Sequence, residues 1–278
     1  MSNQEAIILN RTAKPAQTRS DEMNLTADNY FSAEANQQYM SVSQFKSFMK
    51  CPAAALAELS GEYQREQTTA LLVGSYVDAW FSGEMEQFTE EHPEIFKRDG
   101  SLKAEYAQAD QIIARVSKDE MFMEYMSGYK QVIMTGEIEG VQFKIKIDSL
   151  LLDRITDLKI VRDFESIYDP DFCSRVPWFV YWKYDLQGAA YQEIVRQNLN
   201  KSLPFFLAAA TKEKVTDYNI YHLVQGDLDI ALQTVKDNIV RFDAMKKGVI
   251  PAERCECCDY CRSTKKLTEV ISSDSILI

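Results

Sequence analysis

Apolar and polar residues alternate strictly from Val141 to Asp148, within a two-strand stretch that runs from Gly140 to Val161. Val141, Phe143, Ile145 and Ile147 alternate with Gln142, Lys144, Lys146 and Asp148. A period of two puts the apolar residues on one face of a strand and Asp148 with two lysines on the other. The pattern predicts strands at about 131–138, 142–151 and 155–161, with a tight turn near Asp153 and Arg154. In the last strand Asp157 and Lys159 share a face and Leu158 points the opposite way.

The rest of the chain is mainly helical in period. Ser41 is suited to cap a helix that runs to about residue 49, and Pro52 to open the next. Helical patterning returns over 69–81, 102–126 and 228–247, and Gly248 ends the last of these. The segment YDLQGAAYQEIVRQN also reads as a helix, fed by the aromatic run WFVYWKYD. TDYNIYHLV alternates like a strand. Residues 1–38 are polar with little periodicity and predict a flexible arm, and 263–278 predict a polar tail. The core between them, 39–262, reads as one α/β domain with helices around a mixed sheet. There are no internal repeats.

Two carboxylates and a lysine can meet where the 142–151 and 155–161 strands join. Hard divalent cations take oxygen ligands of this kind. A lysine beside such a cation can orient water or balance charge on a phosphorus centre. The same residues also fit a solvated strand face. Asp78 lies among Val77, Ala79, Trp80 and Phe81, one turn after Gly74. A carboxylate there needs a partner, either a lysine or a metal. Gln187 and Tyr191 are four apart and share a helical face. They offer an amide and a phenol to a phosphate or a base, or else Tyr191 is simply core.

Four of the six cysteines fall in RCECCDYCR. Cys255, Cys258 and Cys261 are spaced by two-residue gaps, and Cys257 intrudes. Such thiolates hold zinc or an iron–sulfur cluster. The fourth ligand is Cys257 or Cys51, and Cys51 fits better because adjacent Cys257 and Cys258 diverge. Cys51 would then tie an early helix to the end of the domain.

Taken in order, SVSQFKSFMKCP, GSYVD, KID, DLK, QGAAY and CECCDYC resemble the motif series of the PD-(D/E)xK nucleases, and the RecE-like and RecB-type exonuclease branch in particular. The resemblance implies a restriction-endonuclease-like core over residues 39–262. It implies Asp148 and Asp157 as the acids, with the Leu158 carbonyl and Asp78 completing a site for Mg²⁺ or Mn²⁺. It makes Lys159 the catalytic lysine and Gln187 with Tyr191 the Q-x-x-x-Y pair. Cys51, Cys255, Cys258 and Cys261 resemble the [4Fe-4S] staple of AddB-type and CRISPR-adaptation nucleases, with zinc as the alternative. The implied substrate is linear duplex DNA, degraded so that single strand is left for an annealing protein in phage-type recombination. Family members of this kind often form homo-oligomeric rings. Other outcomes of the resemblance are a trimming nuclease for single-stranded ends and an inactive DNA- or partner-binding scaffold. The chain departs from the family in three places: Asp78 stands where many relatives have histidine, Asp157 replaces the commoner glutamate, and the cysteines are more tightly spaced.

Composition sets limits. The chain has 278 residues, 46% of them hydrophobic, enough for a substantial single core. No apolar run predicts a membrane span and no export signal is evident, so the expected location is the cytoplasm. The net charge of −11 excludes a broad nucleic-acid-coating surface. A narrow groove lined by Lys144, Lys146, Lys159 and Arg162 remains compatible with it. His92 and His222 are the only histidines, and neither supports a nucleophilic triad. Trp178, Tyr181 and Trp182 read as core more readily than as base-stacking residues. No glycine run has phosphate-loop spacing, so no motor is expected.

Overall fold

The alternating stretch folds as strands. The computed structural model describes residues 23–66, 68–268, 270 and 272. Its first helices are α1 (Ala33–Gln38), α2 (Val42–Lys50), α3 (Pro52–Ser60), α4 (Thr69–Ser82), α5 (Met85–Glu91), α6 (Gln108–Val116) and α7 (Glu120–Tyr125). Strands β1 (Tyr129–Ile138), β2 (Val141–Leu150) and β3 (Ile155–Val161) follow. Then come β4 (Ile167–Asp169), β5 (Ser174–Val176), α8 (Trp178–Tyr181), α9 (Tyr184–Leu199), β6 (Phe205–Thr211) and β7 (Tyr218–Leu223). Helices α10 (Gln225–Lys246) and α11 (Asp259–Ser263) complete the domain.

The sheet order is β1-β2-β3-β6-β7, and β4 pairs separately with β5. β3 and β6 run parallel while the other neighbours are antiparallel, so the sheet is mixed. Helices α2, α9 and α10 cover one face around Phe45, Ile147, Phe205 and Phe242. Helices α4, α6 and α7 cover the other around Val77, Ile112, Phe122 and Leu158. This is the expected α/β sandwich.

One irregularity in the sheet matters most. β2 and β3 pair through two rungs only, Ser149 with Thr156 and Leu150 with Ile155. Beyond them the strands splay. The Asp148 carboxylate then accepts the Leu158 N–H at 2.8 Å. A side chain takes the bond that a longer ladder would have made, so the backbone donor stays satisfied. The opened edge of β2 is taken by the N-terminal chain. Met40 bridges Phe143, with Met40 N–H donating to the Gln142 carbonyl at 2.8 Å.

Local signals set the helix ends. Ser41 Oγ accepts the Gln44 N–H at 3.3 Å, and Pro52 occupies the first turn of α3. Thr68 caps α4 through Leu71 N–H, and Gly83 at φ 82° ends it in the left-handed conformation.

Three expectations need revision. The segment 102–126 is not one helix. Asp119 accepts the Phe122 N–H at 2.8 Å and starts α7 afresh, while Leu102 pairs with Phe96 in a short bridge. Residues 23–38 are not a loose arm, because α1 packs on the domain and Tyr30 is buried. Residues 1–22 lie outside the described residues, as does most of 269–278. The third revision is β6, which the sequence pattern missed. Its FFLAAAT is covered on both faces, with only Phe206 partly exposed, and so does not alternate.

Candidate active site

The fork between β2 and β3 opens into a cleft of about 330 Å³. Asp78, Asp148, Asp157, Leu158, Lys159, Gln187 and Tyr191 all line it. Four elements therefore deliver the expected residues to one place. α4 carries Asp78, β2 carries Asp148, β3 carries Asp157 to Lys159, and α9 carries Gln187 and Tyr191.

Each side chain is held. Gln187 Nε2 donates to Asp157 Oδ1 at 2.6 Å. Asp157 Oδ2 receives no well-aligned hydrogen bond but lies in ion-pair contact with the Lys159 ammonium. The same ammonium donates to the Leu158 carbonyl at 3.1 Å. Tyr191 donates its hydroxyl to the Lys146 carbonyl at 2.9 Å, and its ring packs edge-on against Phe205. That ring is buried, so it braces the cleft wall and is not free to stack on a base.

The electrostatics are those of crowded like charges. Burial pushes the Asp148 carboxyl well above the usual range, and Asp157 and Asp78 push it further. The Lys159 ammonium and the Leu158 N–H oppose this shift. Asp78 is likewise raised by burial, with Lys159 and Lys146 opposing. Burial alone would lower Lys159, but Asp157 and Asp148 outweigh it and hold the ammonium above its ordinary value. Three carboxylates thus share one strongly held cation.

The donor set suits a hard divalent ion. Every candidate ligand is oxygen, from three carboxylates and one carbonyl. Two of these oxygens, Asp157 Oδ2 and Leu158 O, already accept a cation in the form of the Lys159 ammonium. The carboxylates line the cleft without closing on a single point. Among the described residues, only the thiols bring at least three such ligand atoms within 4.8 Å of one another.

The expected lysines divide. Lys144 does not line the cleft. It is only 1% exposed and donates to the Tyr30 carbonyl and to Asn36 Oδ1. Arg162 is exposed and pairs with Asp163. In their place stand two cations that the pattern did not reveal. Lys212 follows β6 and lines the cleft, so it was hidden with that strand. Lys46, on α2, donates to the Trp182 carbonyl at 3.0 Å. Burial and the neighbouring Lys159 draw Lys46 down to about 7, against Asp157 and Asp185. The motif SVSQFKSFMKCP contains Lys46, but only the fold shows that it reaches the site. Gly74 lines the cleft as well, although a Cβ there would meet Ile160 only at 3.9 Å, an ordinary contact. Trp178 is buried among Phe164, Tyr184 and Tyr221, as a core residue.

Outside the cleft, Cys51, Cys255, Cys258 and Cys261 gather with their sulfurs within 4.8 Å of one another. Cys51 Sγ lies 3.5 Å from Cys261 Sγ. Cys257 is exposed beside Cys255 and stands outside the set. Four thiols converging from both ends of the domain form a ready ligand set for a thiophilic metal.

The family model for a PDDEXK-like domain of unknown function (DUF3799) matches residues 41–264. The chain belongs to this PDDEXK-like family. Its fold is accordingly the restriction-endonuclease-like one of the PD-(D/E)xK nucleases. The crystal structure of the "Putative exonuclease" from Eubacterium rectale superposes with a TM-score of 0.86. The two are 46% identical, and the match covers 90% of this chain and 97% of that one. Among curated proteins, none matches this sequence. Asp157-Leu158-Lys159, a D-x-K sequence, lies on β3 within the matched range, with Asp148 on β2 across the fork. No helix among the described residues is long and apolar enough to cross a membrane.

Proposed function

We propose that this protein is a divalent-metal-dependent exonuclease that hydrolyses phosphodiester bonds of linear DNA. The supporting observation is the convergence of Asp78, Asp148, Asp157 and Lys159 in one cleft at the strand fork. The name of the Eubacterium rectale relative points the same way.

In this reading Asp148, Asp157, the Leu158 carbonyl and Asp78 hold Mg²⁺ or Mn²⁺. Bound by these residues, such an ion would supply a lowered water pKa and charge neutralisation at the phosphate. Gln187 fixes the Asp157 carboxylate by its bond to Oδ1. Tyr191 holds β2 by its bond to the Lys146 carbonyl. Lys159, kept charged by its carboxylate neighbours, orients the attacking water and steadies the charged transition state. The four-cysteine set holds a [4Fe-4S] cluster, with zinc as the alternative occupant. Digestion of one strand leaves single-stranded DNA for an annealing partner in recombination, the role of the family branch this sequence resembles.

The test is degradation of end-labelled linear duplex DNA, with and without Mg²⁺, beside a closed circular control. Loss of the linear form alone, only with the metal, is the expected result. An anaerobically purified protein that cleaves nothing under any divalent ion overturns the reading in favour of a binding scaffold.

A further inference from the structure

Five aromatic side chains are prominently exposed among the described residues: Phe31, Trp80, Tyr168, Phe172 and Trp182. Three of the five lie on the short segment between β3 and α9, the two elements that carry most of the site. Tyr168 is 56% exposed, Phe172 57% and Trp182 46%. A lone exposed aromatic needs no explanation, but a cluster beside a catalytic cleft does.

A series of contacts runs from the cleft toward the part of this cluster at Trp182 and Phe172. The Lys159 ammonium lies 5.0 Å from the centroid of the Tyr184 ring. The Lys46 ammonium lies 4.6 Å from the same ring and donates to the Trp182 carbonyl. The next residue, Lys183, lies 5.4 Å from the Phe172 ring. Lys183 has a left-handed backbone, φ 56°, and its ammonium lies 3.8 Å from Asp169. That corner turns the chain so that Trp182 faces solvent and Tyr184 faces the site. Lys159 and Lys46 therefore share the Tyr184 ring at the cleft, and Lys183 with Phe172 forms a second cation–ring pair farther along the segment.

The segment also carries acids, and two of them are compensated. Asp163 is paired with Arg162, and Asp169 with Lys183. Among the described residues Lys46 has no carboxylate in ion-pair contact, and a phosphate beside it would favour the protonated form that burial and Lys159 disfavour.

We propose that Lys46, Trp182, Phe172 and Tyr168 form a track for single-stranded DNA that leads to or from the cleft. Lys46 takes the phosphate next to the scissile one, and the three rings stack successive bases. Alternating cations and stacking rings are how sequence-independent single-strand sites are built. The proposal rests on the nuclease reading for its cleft. It adds the substrate form, an unpaired strand, and the residues that hold it. It accounts for how a chain of net charge −11 engages DNA, through a narrow track and not a basic surface.

The test is fluorescence anisotropy of a labelled oligo-dT, with Ca²⁺ in place of Mg²⁺, on wild type and on a Trp182→Ala/Phe172→Ala double variant. Both side chains are exposed, and the Trp182 carbonyl that Lys46 needs is retained. Each stacked base lost weakens binding by about tenfold, so the double variant binds about a hundredfold more weakly. Trp182→Phe keeps a stacking ring and stays within about threefold of wild type. Hydrolysis of thymidine 5′-monophosphate p-nitrophenyl ester, too small to reach the track, is unchanged in the double variant. Equal oligo-dT affinity in wild type and the double variant overturns the track, as does a wild type that binds no oligo-dT. A wild type that binds oligo-dT but hydrolyses neither the ester nor DNA refutes the nuclease reading and leaves the track standing.

Discussion

Gly188 sits between Gln187 and the rest of the Q-x-x-x-Y segment, and the packing around it gives a quantitative forecast. A Cβ added there would lie 2.7 Å from Phe205 Cδ1 and 3.0 Å from Leu228 Cδ2. Carbon atoms in good contact are about 3.5–4.0 Å apart, so roughly 1 Å must be found. Neither neighbour can supply it cheaply, since Phe205 and Leu228 are both buried in the core. Overpacking of this kind costs about 1–3 kcal/mol, and fully buried neighbours place Gly188→Ala in the upper part of that range. Alanine returns about 1 kcal/mol through helix propensity. The net is a loss of roughly 1–2 kcal/mol, or about 2–8 °C in unfolding temperature. Movement of α9 by about 1 Å also stretches the Gln187–Asp157 bond, now 2.6 Å, beyond hydrogen-bonding reach. Misplacement on that scale lowers activity by about a hundredfold. The assay is thermal unfolding beside DNA degradation well below the transition. Gly226→Ala is the control, because nothing lies within 4 Å of a Cβ there. The control should be neutral or slightly stabilising. A Gly188→Ala protein that unfolds at or above the wild-type temperature with full activity would refute the close approach of α9 to β6.

Lys159→Ala should cut DNA cleavage by about a hundredfold to a thousandfold while far-UV circular dichroism stays native; unchanged turnover would remove Lys159 from the chemistry. Asp148→Asn keeps an acceptor for the Leu158 N–H but removes one of three crowded charges. It should raise the metal-free unfolding temperature by roughly 2–4 °C at about pH 8 and abolish protection by Mg²⁺; an unfolding temperature no higher than wild type would show that the carboxylates do not repel. In the wild type Asp148 and Asp78 are raised, so the folded state holds their protons more tightly than the unfolded chain. Their contribution is full at low pH and is lost as pH climbs through the raised range, above about pH 4. Mg²⁺ favours the ionised forms, so its protection in thermal unfolding should grow from about pH 5 to about pH 8, and protection that shrinks over that interval would contradict this origin. Cys51→Ser should lose its bound metal, measured by elemental analysis of anaerobically purified protein, and unfold roughly 5–10 °C lower; wild-type metal content would exclude Cys51 as a ligand.

Much of this architecture was legible because the polar residues of β2 and β3 stand out at every second position against apolar neighbours. β2 alternates from Val141 to Asp148, and Asp157 and Lys159 are two apart in β3, so the sequence alone put these three side chains near one strand junction. The cysteine spacing similarly announced a shared site, and Cys51 joined it as expected. What stayed hidden had no periodic signature. β6 is an interior strand covered on both faces and its sequence is apolar nearly throughout, so it fits a helix equally well. Lys212, just after it, was lost for the same reason. Lys144 misled in the other direction. It alternates as a surface residue, but the N-terminal segment folds over it and its ammonium goes to Tyr30 and Asn36. Only tertiary contact determines whether a lysine on a strand meets water, a substrate or another piece of chain. Lys46 makes the same point, since it acts across 136 residues on Trp182.

The thiol set has a topological consequence. Cys51 and Cys261 are 210 positions apart yet share one cluster of sulfurs. A metal there fastens the chain into a ring that encloses the whole sheet and the cleft. For a loop of that size, such a clasp removes about 5 kcal/mol of disorder from the unfolded chain. That is comparable to the entire stability of many domains. The thiol set and the fork share no residue, since none of the four cysteines lines the cleft. Even so, an oxidant or chelator that opens the clasp would reach the fork through the stability of the chain, without touching a single cleft residue.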